Sequence, residues 1–393
     1  MWPRLKVVFC MVPKTTCLLP YVVGPNTSSI YLQFGNTSDE DVLWGADVPE
    51  AITALSMIED RSGSLVNLAL LEVQVVNGGF CGALRRLILK NVGSLTKITL
   101  ATVDSVSVPV TQDIFLLPHL QYLIMRLPIL SGPLPGIPPS LKCLEIVVDN
   151  EETLTHVFTA CRNSQLILLA ISYTPLSSPG NWENLASILA SGQLTQTLTE
   201  FFWGDPMPPH ELDPGMLKAF LPFTNLQVLR IDTSCETPWC EFTFDHTDVC
   251  ELSSALPNLR ILHLGGDPCG RSTTTVSFET LGAISKHCKH LESLRIHFNP
   301  NDINTLSRSE EVYVALEDSG VKTHSECALK TLNVGKIRLP GEKGLLDWLV
   351  ALALLEIFPS LSVIEHDRSS ILWPEVERRI RSCKVVKKFA GYA

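Results

Sequence analysis

The sequence lacks most of the features that announce a chemistry. Its 12 cysteines include no CxxC pair, and 12 in 393 residues is too sparse for a disulfide-stapled scaffold. Cys143, Cys161 and Cys327 sit among apolar neighbours and read as small core fillers, which suits a reducing compartment. No apolar run approaches the ~18 to 20 residues that cross a bilayer. The longest, 345–358, carries Asp347 and Glu356 and reads as an amphipathic helix. Positive charge is also scarce: 31 basic against 41 acidic residues give a formal charge of −10, which disfavours a nucleic-acid partner. The one basic cluster (Arg378, Arg379, Arg381, Lys384, Lys387, Lys388) reads as the solvated face of a terminal helix. A short apolar run, Val7 to Val12, stops at Pro13-Lys14 and makes a poor secretory leader. A cytoplasmic or nuclear protein without a membrane partner is expected. The triplets Asn26-Thr27-Ser28 and Asn36-Thr37-Ser38 are glycosylation sequons that matter only in a secreted chain.

Catalytic signatures are missing as well. There is no GxSxG, no HExxH and no nucleophile beside an obvious base, so no enzyme is expected. The segment Gly265 to Ser272 imitates a phosphate loop, but Arg271 replaces the lysine, Pro268 removes a donor and Asp267 repels phosphate; it reads as a turn. Cys235, Cys240, His246 and Cys250 have ligand-type side chains in a spacing that matches no common zinc finger. Trp239, Phe242 and Phe244 among them suggest a packed loop. Asp149-Asn150-Glu151-Glu152 and Glu310-Glu311 read as solvated turns. The expectation is no catalytic residue, no cofactor and no metal.

What the sequence has is a repeat. Leucine-type residues recur at positions 1, 4 and 6 of a short unit: Leu65-Leu68-Leu70, Leu95-Ile98-Leu100, Leu120-Leu123-Met125, Leu141-Leu144-Ile146 and Leu166-Leu169-Ile171. The series continues with Leu198-Phe201-Trp203, Leu226-Leu229-Ile231, Leu259-Leu262-Leu264, Leu291-Leu294-Ile296, Leu329-Leu332-Val334 and Leu361-Ile364-His366. Weaker members lie at Leu5-Val8-Cys10 and Thr27-Ile30-Leu32. The mean step is about 30 residues, at the upper end of the leucine-rich-repeat period. Side chains alternate along a strand, so positions 4 and 6 face one way and position 5 the other. A single strand buries too little to be stable, and stacked parallel neighbours need a return segment between them.

The returns are legible as helices. Trp182, Leu185, Ile188 and Leu189 fall at helical spacing, as do Val249, Leu252 and Leu256. Phe278, Leu281 and Ile284 follow a candidate cap at Ser277, and 345–357 forms the longest amphipathic stretch. Residues 83–91 also fit the strand template but lie too close to the next unit, and they are assigned to a return helix. Leu117-Pro118-His119-Leu120, Leu256-Pro257-Asn258-Leu259 and Phe358-Pro359-Ser360-Leu361 mark where helix hands over to strand, because proline cannot continue a helix. The fold class expected is therefore α/β, a leucine-rich-repeat solenoid (horseshoe) with a parallel concave sheet and outer helices. Residues 1–64 hold degenerate repeats, 65–366 the main repeats and 367–393 a C-terminal capping helix.

Leu256-Pro257-Asn258-Leu259-Arg260-Ile261-Leu262-His263-Leu264 resembles the divergent repeats of fungal (basidiomycete-type) F-box/leucine-rich-repeat proteins. So does the run from Leu281 to Ile296, with His287-Cys288-Lys289-His290 closing a helix before the next strand. The resemblance covers nearly the whole chain through degenerate motifs. It implies a ubiquitin-ligase (SCF) adaptor in which an N-terminal F-box binds Skp1 and the repeats present a protein substrate. Here a repeat unit already starts at Leu5. Val48-Pro49-Glu50-Ala51-Ile52, the nearest imitation of an F-box opening, follows two repeat units and lacks the later tryptophan-containing helix. The F-box is expected to be missing, and Skp1 is a partner only if one exists upstream. Two alternatives stay open: a secreted or surface recognition receptor, or a truncated pseudo-adaptor. The single Leu130-Ser131-Gly132-Pro133-Leu134-Pro135 segment is similar to extracellular plant-type repeats, which would show it in most units.

The outward strand positions are the candidate protein-binding residues: Tyr122, Glu145, Glu200, Phe202, Arg230, Asp232, His263, Arg295, His297, Asn333 and Glu365. Aromatic and charged side chains of this kind are common in protein interfaces.

Overall fold

The computed structural model describes residues 5–12, 16–34, 48–73, 76–174, 182–205, 211–212, 214–233, 241–242, 244–265, 276–298, 326–335, 345–366 and 373–389. The chain divides into two compact units: Met1–Thr174 with Gly192–Thr197, and Pro175–Ser191 with Leu198–Ala393. The first contains β1 (Val7–Val12), β2 (Ser29–Phe34), β3 (Asn67–Val73), β4 (Lys97–Thr102), β5 (Tyr122–Arg126), β6 (Cys143–Val148) and β7 (Leu168–Tyr173). The second contains β8 (Glu200–Asp205), β9 (Glu211–Leu212), β10 (Val228–Thr233), β11 (Glu241–Phe242), β12 (Ile261–Leu264), β13 (Ser293–Ile296), β14 (Thr331–Gly335) and β15 (Val363–His366). The two-residue strands β9 and β11 pair only with each other. The other thirteen are parallel, and within each unit neighbours in the sheet are successive repeats of the chain. This is the α/β leucine-rich-repeat solenoid that the periodicity implies.

The register explains why these residues form these strands. In the first unit Val8, Ile30, Leu68, Ile98, Leu123, Leu144 and Leu169 lie opposite one another, and two residues on Cys10, Leu32, Leu70, Leu100, Met125, Ile146 and Ile171 do the same. In the second unit Phe201, Leu229, Leu262, Leu294, Leu332 and Ile364 form the corresponding row. All of these side chains are buried. Leu65, Leu95, Leu120, Leu141 and Leu166, at the first position of the unit, are fully buried as well. Three leucine-type side chains per repeat, each worth about 1.5–3 kcal/mol when removed from water, make each strand depend on its neighbours. A one-residue slip would turn every one of them to the opposite face, so the pattern fixes the register.

The return segments supply the other wall of the core. Helices Val48–Arg61, Gly78–Lys90, Val108–Phe115 and Glu151–Cys161 connect strands of the first unit. Trp182–Ala190, His246–Ala255, Phe278–His287 and Leu345–Ile357 belong to the second, and Trp373–Phe389 follows its last strand. Val48-Pro49-Glu50 opens an ordinary return helix that buries Ala51, Ala54, Leu55 and Ile58. Four helix starts carry side-chain caps: Asn77 accepts from the Phe80 amide at 2.9 Å and Asn150 from that of Thr153 at 2.7 Å. Asp245 with Asp248, and Ser277 with Thr280, close full capping boxes.

The helix-to-strand junction is one turn used repeatedly. The carbonyls of Leu117, Phe223, Leu256, Cys288 and Phe358 each accept from the amide three residues on, which belongs to the leading leucine of the next strand. Proline follows three of these five acceptors, holding the turn without needing a donor of its own. Among the fully described returns, one has no helix. Between β5 and β6, Pro128, Pro133, Pro135, Pro138 and Pro139 cannot donate to a helical ladder. Leu127, Leu130 and Leu134 are buried there nonetheless, and the Leu130 amide donates to Thr153 Oγ1 at 3.0 Å.

Two glycine-type positions matter to the backbone. A side chain at Gly192 would place its Cβ 2.0 Å from the Arg162 carbonyl oxygen, so only glycine allows that approach. Glu72 has φ 59° at the point where the β3 register shifts, a bulge that glycine would occupy with less strain.

Candidate functional site

Every strand leaves alternate positions on the face of the sheet opposite its buried row, and these are partly accessible in β4, β5, β6, β12 and β13. In the first unit this open face is internally paired. Tyr122 donates to Glu145 Oε1 at 2.6 Å, and Lys97 Nζ lies 4.0 Å from the Tyr122 ring centroid. Burial first, then the hydrogen bond and negative charge of Glu145, hold the Tyr122 phenol above its ordinary range. Arg126 grips Asp149 with two bonds, Nε at 3.0 Å and a terminal nitrogen at 2.6 Å, and the Thr174 hydroxyl donates to the same carboxylate. Sequence reasoning missed Arg126, Asp149 and Lys97. The alternation places Arg126 two residues beyond Ile124 and Lys97 two before Thr99, so extending the period by one step at each end would have found both.

In the second unit the row along neighbouring strands runs Phe202, Arg230, His263, Arg295, Asn333 and Glu365. The Arg230 guanidinium lies over the Phe202 ring, with its carbon 5.4 Å from the centroid. Arg295 reaches to Asp232 Oδ1 at 3.3 Å, and Asn333 donates to Glu365 Oε2 at 3.0 Å. His263 Nε2 shares a hydrogen bond with Ser293 Oγ at 3.0 Å. Burial and the charges of Arg295 and Arg230 push His263 down to about 4, so the imidazole is neutral at neutral pH. Glu200 opens β8 at an outward position. His297 departs from the expected set: it follows the last residue of β13 and is only 2% exposed, so it presents no side chain to a partner. Asn333 is buried too, with its amide committed to Glu365.

Among the described residues, reactive or ligating side chains do not assemble into a centre. Of the candidate metal ligands, Cys235 and Cys240 lie outside the described residues, as does most of the Gly265 to Ser272 segment. Among the described residues no group of three or more His, Cys, Asp or Glu is placed to hold a metal ion. Cys250 Sγ lies 3.5 Å from His246 Nε2, a Cys–His contact within one helix. Burial, then the negative charges of Glu279 and Asp245, raise that thiol, which is the wrong direction for a nucleophile. Burial likewise pushes Cys161 and Cys288 up to about 12. The basic cluster at the end is partly neutralised, since Arg378 and Arg379 pair with Glu375 and Arg381 with Glu377. No helix among the described residues is long and apolar enough to cross a membrane. Asn26 of the first sequon is exposed, and the second sequon lies outside the described residues.

Fold and surface together define a leucine-rich-repeat solenoid with an ordered polar and aromatic open face. No protein-family profile matches the chain, and no curated protein matches it in sequence. Among solved structures it is similar to a yeast protein described as "Crystal structure of Rad7 and Elc1 complex in yeast", at 12% identity and a TM-score of 0.49, over 91% of this chain and 76% of that one.

Proposed function

We propose that this chain is a protein-interaction scaffold without catalytic activity, which receives a protein partner on the open face of its sheet. The finer reading is that it recognises substrates for a ubiquitin ligase in the manner of F-box/leucine-rich-repeat adaptors. The observation that carries the binding role is the contrast between the two sides of each strand. One side is buried and apolar. The other offers Tyr122 on β5 of the first unit, and Phe202, Arg230, Arg295 and Glu365 on β8, β10, β13 and β15 of the second. Tyrosine and arginine give more contact energy per side chain than the residues typical of a surface, and a rigid solenoid presents them with little ordering cost. The raised thiols and the absence of a base beside an activated nucleophile among the described residues support a binding role over a catalytic one.

The ligase reading rests on the repeat resemblance and is tested by purifying the full native protein from its own cells. Recovery of Skp1 together with a second protein supports it. Recovery of other partners with no Skp1 removes the ligase role and leaves the scaffold. A glycan found on the exposed Asn26 would move the scaffold outside the cell, in favour of a recognition receptor.

A further inference from the structure

We infer that the second unit carries a carboxylate-binding site centred on Arg230, which seats one acidic side chain of an extended segment of the protein partner. The inference rests on the interaction reading and names the chemistry that the open face selects.

One charge on the open face of the second unit has no counter-ion among the described residues. Arg230 is half-buried on β10, and among the described residues no carboxylate lies within ion-pair distance of it. Its Nε is buried with no hydrogen-bond partner, and its one interaction of note is with the face of Phe202. A guanidinium taken partly out of water without an anion is costly, and its planar array of donors matches a carboxylate. The other described arginines of the strands each have an acid, Arg126 with Asp149 and Arg295 with Asp232, although Arg295 Nε is likewise buried without a hydrogen-bond partner.

The surroundings narrow the ligand. Arg295 sits two strands away, roughly 10 Å at ordinary strand spacing, and is already matched by Asp232 at 3.3 Å. Between them His263 is neutral, so it contributes hydrogen-bonding capacity without a further charge. Arg295 has Asp232, whereas Arg230 has no ion pair among the described residues, Glu200 on the neighbouring β8 included, so its charge is left to be met. A carboxylate balances it. A doubly charged phosphate would leave negative charge beside Asp232. On the other side Phe202 gives an apolar wall against which the methylene groups of a glutamate pack. In a chain of net charge −10, a cation with no ion pair among the described residues also provides a local attraction on the open face.

The test uses the full chain and three labelled peptides: an oligoglutamate, the matching oligoglutamine and the matching oligophosphoserine. At low salt the oligoglutamate should bind about tenfold or more tightly than the oligoglutamine, the range expected of a charge-assisted bidentate contact. Arg230→Gln should remove that preference. Arg260→Gln, which deletes an equal charge elsewhere in the unit, should keep it. A mutation-free arm modifies arginines of the native chain with a dicarbonyl reagent: oligoglutamate should protect Arg230 and leave Arg260 as reactive as before. Equal binding of glutamate and glutamine peptides, equal loss in both variants, or no protection of Arg230 each overturns the site. Tighter binding of the phosphoserine peptide overturns the choice of carboxylate. If Arg230 stays reactive while a photo-crosslinker at Glu365 still captures a native partner, the site is wrong and the scaffold stands. If neither happens, both fall.

Discussion

The open faces of the two units are built on the same backbone plan and finished differently. In the first, each charged or phenolic group described above has its partner within the face: Tyr122 with Glu145, Arg126 with Asp149 and Thr174. In the second, Arg295 leans on Asp232 while Arg230 has an aromatic ring and, among the described residues, no acid. The difference teaches that position in the repeat sets where a side chain points, whereas its neighbours along the row set whether it is satisfied. A satisfied row stabilises the fold. A row with one charge unmet among the described residues is where binding is proposed.

The comparison is sharpest where the two units should behave alike. Leu144→Ala in the first unit and Leu294→Ala in the second each empty a fully buried site between strands, so each should cost about 2–5 kcal/mol in chemical denaturation. A large cost in one unit and none in the other would show that the repeats are not equivalent. Gly192→Ala comes next: a Cβ placed against the Arg162 carbonyl should destabilise the first unit by about 1–3 kcal/mol, read from its thermal transition.

Smaller effects separate the faces. Tyr122→Phe should cost about 1 kcal/mol by loss of the Glu145 bond, and little further when Glu145→Gln is added; additive losses would mean the two do not act as a pair. The second unit should instead show an acid-sensitive term. Folded His263 resists protonation until about pH 4, while the unfolded chain takes the proton near its ordinary 6.5. Stability from this source is complete above 6.5 and declines as the pH falls towards 4. His263→Gln should flatten that part of the stability profile, and an unchanged profile would contradict the assignment. The smallest change expected is a gain: Glu72→Gly relieves a left-handed residue and should stabilise β3 by up to about 1 kcal/mol.

Much of the fold was legible because it repeats. Leu65-Leu68-Leu70 and its successors each carry a weak signal, but the thirteen strands they mark all form, including the degenerate Leu5-Val8-Cys10 unit. Capping chemistry made Ser277 readable in the same way, through a local hydrogen bond that depends on few neighbours. The site was only half legible. Alternation placed Phe202, Arg230, His263 and Arg295 on the open side, but nothing local told that Asp232 would turn to Arg295, a residue 63 positions away. His297 failed for a related reason: alternation holds only while the strand lasts, and β13 ends at Ile296. The return between β5 and β6 showed its prolines plainly, yet its buried leucines depend on a hydroxyl from the following repeat.

The central claim is that the open side of the sheet, and not the helical side, meets the partner. Photo-crosslinking residues placed singly at Glu365 on the open face and at Lys286 on the exposed side of helix Phe278–His287 test it in one experiment in native cells. A discrete cross-linked partner is expected from position 365 and none of comparable yield from position 286. Capture from the helix position alone, with the open face silent, would contradict it.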